Sequence, residues 1–150
     1  MQKLYLYLRV NGGAQATLVN NANSFVGNSL PSFARGQKVT FDIGLFLDEG
    51  DTAAGQADVA ALADTWDFAA DSEYAQASPA IQATSVTLDA TGHLNITLDS
   101  TNSTRMQTIK TGSRTLLHGS IIGKATGSTT PVFVAIFDFY VHEPVTTAGL

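Results

Sequence analysis

The stretch from Arg35 to Asp48, RGQKVTFDIGLFLD, constrains the chain more than any other. After Gly36, apolar residues fall at every second position: Val39, Phe41, Ile43, Leu45 and Leu47. That is the period of a half-buried β-strand, whose successive side chains point to opposite faces of a sheet. The other face carries Lys38, Thr40, Asp42, Gly44, Phe46 and Asp48, which is polar except for Phe46. An apolar row along a strand of roughly 40 Å needs a second layer to cover it. The rest of the chain must therefore supply more sheet.

It does so from the start. Leu4, Leu6 and Leu8 alternate with Tyr5, Tyr7 and Arg9, predicting an opening strand with tyrosines on one side. Asn11-Gly12-Gly13 reads as a turn, because Asn and Gly adopt positive φ at little cost. Ala14 to Val19 predicts a weakly patterned second strand, and Asn20 to Asn28 a loop. Asp48 to Asp51 ends the long strand, and Asp58 to Ala63 reads as a single helical turn or an irregular link. Thr65 to Ala69 is a short strand with Trp66 and Phe68 on one face, followed by a loop from Asp71 to Pro79. Ala83 to Asp89 and His93 to Asp99 form a hairpin around Ala90-Thr91-Gly92. Ser100 to Gly112 breaks the alternation, and Met106 and Ile109, three apart, predict a helical turn against the sheet. Thr115 to Ala125 is extended, with Gly119 and Gly123 as bulges or points of close approach. After a turn at Thr126 to Thr130, Pro131 to His142 is apolar on both faces and is expected at the centre of a sheet.

Roughly seven to nine short strands without strand–helix alternation imply an all-β fold. The expected form is an antiparallel β-sandwich, with a jelly-roll or closed barrel as the lesser option. Residues 1–150 form one expected domain, a usual length for a single core.

Composition narrows the function. Hydrophobic residues make up 44% and charged residues 14%, against about 25% charged in an average soluble protein. This excludes a disordered chain. Net charge is −5, and the eight Lys and Arg are scattered singly. Nucleic-acid binding is not expected, because no basic patch is present to displace counterions from phosphates. No apolar run reaches the roughly 20 residues of a bilayer span, so no membrane insertion is expected. The N-terminus reads as a strand and not as a signal peptide. The absence of cysteine removes disulfides, thiolate zinc sites and a cysteine nucleophile.

A search for chemistry yields no enzyme and no cofactor. His93, His118 and His142 are the histidines, and no Gly-x-Ser-x-Gly elbow accompanies them. His93 and His142 read as exposed polar punctuation, and His118 as a hydrogen-bonded interior group. The acidic runs Asp48, Glu49, Asp51 and Asp64, Asp67, Asp71, Glu73 lack the alternating ligands of an EF-hand, and they read as solvated strand ends. Asn95-Ile96-Thr97 and Asn102-Ser103-Thr104 match the glycosylation sequon, a common triplet. Among the aromatics, Trp66, Tyr74 and Tyr140 are candidates for stacking on a pyranose ring, which would make the chain a carbohydrate-binding module.

The order of elements resembles a known family. Arg35-Gly36 opens a long alternating strand; Trp66-x-Phe68 and the hairpin Thr87-x-Asp89-x-x-Gly92-x-Leu94-x-Ile96 follow. Leu116 to Gly123 and the aromatic strand Phe133 to Val141 close the run. Across Phe33 to Val145 this is similar to the immunoglobulin-like N-terminal domains of phage baseplate and tail adaptor proteins. The resemblance implies a non-catalytic virion protein, made in the bacterial cytoplasm, that associates with itself and with neighbouring virion proteins. Such domains are usually followed by others, whereas this sequence stops at Leu150. Tyr5 and Tyr7 on the first strand are the expected contact residues, since aromatics concentrate at interfaces.

Overall fold

The computed structural model describes residues 2–10, 14–19, 29–46, 61–98 and 104–145. The strands are β1 (Gln2–Arg9), β2 (Thr17–Val19), β3 (Ser32–Ala34), β4 (Val39–Phe46) and β5 (Thr65–Asp71). They continue as β6 (Ile81–Leu88), β7 (Leu94–Leu98), β8 (Arg114–Lys124) and β9 (Pro131–His142), with one short helix, α1 (Thr104–Ile109), before β8. The fold is all-β, as the alternation predicts. The turn signals at 11–13, 20–28 and 48–51, and the first half of the stretch 58–63, lie outside the described residues.

The strands form one mixed sheet in the order β2-β1-β4-β7-β6-β5-β8-β9-β3. The expectation of a purely antiparallel arrangement is corrected at two places. β1 runs parallel to β4, from Gln2 opposite Val39 to Arg9 opposite Phe46, and β3 runs parallel to β9. Alternation dictates which face a side chain takes, but it carries no information on strand direction. Here the parallel partners meet through long connections, where no tight hairpin forces them antiparallel.

β6 turns the corner of the sheet. Ile81 and Gln82 pair with β5, while Ala83 to Leu88 pair with β7, and the register shifts between Ala83 and Ser85. An extra residue of this kind bends a strand and increases its twist, and the sheet curls into a half-barrel. The curl brings β4 face to face with the later strands. The Phe41 ring lies 6.0 Å from Phe33, 6.3 Å from Phe68, 6.0 Å from Phe137 and 5.5 Å from Phe139, mostly edge to face. The segment entering β2 ties the far sides together: Ala16 donates its N–H to the Ile136 carbonyl at 2.9 Å, and Thr17 to Val19 then pair with β1.

Met106 of α1 is buried in this core, as its spacing from Ile109 suggests. Gly119 and Gly123 are close-approach points. A Cβ on Gly119 would lie 2.7 Å from the Phe68 ring, and one on Gly123 would lie 2.6 Å from Ala63. Outside the main core, Phe46 and Val19 form a second small cluster covered by Tyr7. The apolar exception on the polar face of β4 is explained by that cover.

β9 departs from its expected central place. It lies next to the sheet end, with only the three-residue β3 and a single bridge from Gln15 to Ile136 on its far side. Its inner row from Phe133 to Val141 is buried, whereas the outer row is partly open, with Val132 54% exposed.

Candidate functional site

Two polar constellations stand on the outer faces of the sheet. The first joins β1, β4 and β7. Asp42 forms an ion pair with Lys3 Nζ at 3.5 Å and lies 2.8 Å from His93 Nδ1. Tyr7 meets His93 edge-on, with ring centroids 6.3 Å apart, and covers Gly44 on the neighbouring strand. His93 is therefore half-buried and hydrogen-bonded, not the exposed punctuation expected of a residue after a turn glycine. Its position facing Asp42 comes from β4 pairing with β7, which sets Asp42 opposite Asn95.

The second constellation is a cleft of about 210 Å³ where the β5–β6 loop leans on β8. At its base, Asp71 is 4% exposed. Its Oδ1 accepts the Glu73 N–H at 3.0 Å, and its Oδ2 accepts the Ala80 N–H at 3.0 Å. Arg105 of α1 adds two hydrogen bonds of 3.1 Å, one to each oxygen. Burial pushes the Asp71 carboxyl upward, but the Arg105 hydrogen bond, the two backbone N–H donors and the Arg105 charge outweigh it and hold it below its ordinary value. The same contacts with Asp71 and Glu73 raise the Arg105 guanidinium.

One carboxylate thus pins both ends of the loop. Within the loop, Ala75 adopts φ +59°, the only positive φ of a non-glycine residue among those described. Next to it the Tyr74 ring stacks on the His118 imidazole, with centroids 4.7 Å apart and planes 13° apart. His118 Nδ1 lies 2.6 Å from Asp138 Oδ1. Glu73, Gln76 and Ser120 complete the polar lining.

The predicted site residues separate in space. Tyr5 is 66% exposed, with Lys3 Nζ 5.7 Å from its ring, whereas Tyr7 is half-buried. Only Gln2 to Leu6 of β1 has an edge character, because β2 pairs with Tyr7, Leu8 and Arg9 alone among the described residues. Trp66 points inward and packs edge-on against Phe133 at 5.5 Å. Tyr140 lies under the Arg114 guanidinium at 4.2 Å. Of the three stacking candidates, Tyr74 alone offers an open ring, at 60% exposure.

The acidic run disperses as well. Asp64 caps the turn at Thr126, accepting its N–H at 2.9 Å, and Asp67 accepts the N–H of Phe68 at 2.8 Å. The Asp71–Arg105 pair has no signal in the sequence. The His118–Asp138 pair does have one: a hairpin centred on the turn at Thr126 to Thr130 sets those two residues opposite each other.

Comparison with protein-family models gives no match for this chain, and comparison with curated proteins gives no similar sequence. Among the described residues no helix is long and apolar enough to cross a membrane.

Proposed function

We propose that this chain is a non-catalytic, immunoglobulin-like assembly domain of a phage or prophage virion, at the tail or baseplate, working through protein–protein contacts. The observation that supports this most directly is the outer face of the β8–β9 hairpin. Leu116 and Val132 are exposed there, and Ile122, Val134, Ile136 and Tyr140 are half-buried. β9 is apolar on both faces except at Asp138 on the outer one, yet only its inner face is packed into the core. An outward apolar row on a sheet gains free energy when another surface covers it, at about 25 cal/mol per Å². Tyr5, on the open part of β1, is a second contact point of the kind interfaces favour.

The test is solution mass by light scattering coupled to gel filtration, at two protein concentrations. A trimer or larger closed ring supports assembly, because symmetric oligomers build such particles. Ile136→Asp, on the outer face, should then return the protein to a monomer. A wild-type monomer at both concentrations removes the self-association on which the proposal leans.

A second reading, a carbohydrate-binding module, is favoured by one observation. Tyr74 presents an open aromatic face beside the polar groups of the β5–β6 cleft.

A further inference from the structure

We infer that the cleft between the β5–β6 loop and β8 binds an uncharged pyranose, with Tyr74 as the stacking ring and Glu73, Gln76 and Ser120 as hydroxyl partners; this rests on the second reading above. Asp71 is desolvated, and its charge is balanced by Arg105 from a different element. Ala75 takes a left-handed conformation that L residues adopt only at a steric cost. Both hold in place a ring that is 60% exposed. Backbone strain beside a solvent-facing side chain points to function.

The shape of the site limits the ligand. One face of Tyr74 rests on His118, and His118 is itself held by Asp138, so the platform is rigid from below. With 60% of its surface exposed, Tyr74 still offers open ring surface to a flat partner. The negative face of an aromatic ring attracts the weakly positive C–H edge of another group, and one side of a pyranose is such a C–H surface. The cleft holds about 210 Å³, below the roughly 300–1,000 Å³ of pockets for drug-sized ligands. That suits a single ring, with any further units lying outside.

Charge selects among sugars. No lysine or arginine lines the cleft, while Asp71 and Glu73 do. Arg105, the nearest cation to them, is engaged by both carboxylates. A sialic or uronic acid would meet carboxylates without a free cation to balance it, which costs affinity. A neutral ring instead meets the Glu73 carboxylate and the Gln76 amide, which bond each other at only 3.4 Å, and the Ser120 hydroxyl, the mixed donors and acceptors that vicinal hydroxyls require.

The experiment is an amide-resolved NMR titration of the whole chain with the methyl glycosides of glucose, galactose, mannose and N-acetylglucosamine. Sialyllactose and tetramethylammonium chloride are added as separate probes. At least one neutral glycoside should shift the amides of Tyr74, Gln76 and Ser120, with an affinity on the order of millimolar. Tyr74→Ala should weaken that binding at least about tenfold, and Tyr74→Phe should retain it. If sialyllactose alone shifts these amides, the neutral-sugar inference fails and carbohydrate binding survives. If only tetramethylammonium does, the ring serves a cation and both fail. No shift with any sugar also overturns both.

Discussion

Arg105 grips Asp71 through two parallel hydrogen bonds of 3.1 Å, Nε to Oδ2 and a terminal nitrogen to Oδ1, joining α1 to the end of β5 across a sequence separation of 34 residues. Two backbone N–H groups complete the carboxylate's shell. Arg105→Ala removes the charged half of that shell and leaves a desolvated anion. The variant is expected to be less stable than the wild type, because a buried carboxylate loses its charged partner. A lower urea midpoint at unchanged m-value would check it.

Asp89 carries the acid sensitivity of the β6–β7 hairpin. Burial pushes its carboxyl up, but the hydroxyl of Thr91, the amide of Asn95 and the N–H groups of His93 and Thr91 outweigh that and bring it from 3.8 to about 2. A carboxyl lowered by folding binds fewer protons in the native state. Its stabilisation is therefore fully present above 3.8 and is lost as pH falls towards 2. Asp89→Ala should be less stable than the wild type at about pH 6, and the gap should close over that acid window. Chemical denaturation at a series of pH values measures it. A gap that stays constant with pH would mean that the carboxylate's charge plays no part.

Gly119 is a steric requirement of the core. A Cβ there would lie 2.7 and 2.8 Å from ring carbons of Phe68 and 3.1 Å from Phe139. Both rings belong to the packed cluster around Phe41 and have little room to yield. Gly119→Ala should cost about 1–3 kcal/mol by overpacking, read as a lower thermal midpoint.

Tyr7 and Tyr5 stand two residues apart and should behave differently. Tyr7 lies over Gly44 and closes the small cluster of Phe46 and Val19, an aromatic covering a glycine on the adjacent strand. Tyr7→Ala should destabilise the fold by about 1–2 kcal/mol, while Tyr5→Ala should stay within about 0.5 kcal/mol, as exposed positions do. If Tyr5 is an interface residue, its replacement should change the mass in solution and leave the melting temperature of the monomer unmoved.

What the sequence determined by itself is the identity of most elements and the face each residue takes. Val39, Phe41, Ile43 and Leu45 are buried on one side of β4, and Phe68, Leu94, Ile96 and Met106 are all in the core, because alternation in a strand and spacing in a helix are local geometry. The glycines at 119 and 123 were legible for the same reason. Tertiary structure decided the rest. Backbone hydrogen bonds between strands are alike for every sequence, so nothing local announces that β1 and β4 run parallel or that β6 bends from one half of the sheet to the other. An apolar outer row on β9 fits a central strand as well as a strand beside an open face, and only the assembled sheet distinguishes them. The cleft is the extreme case. Asp71, Tyr74, Arg105, His118 and Asp138 come from a loop, a helix and three strands; one hairpin announces the His118–Asp138 pair, but its meeting with Asp71 and the loop follows from β5 pairing with β8, which no stretch of sequence contains.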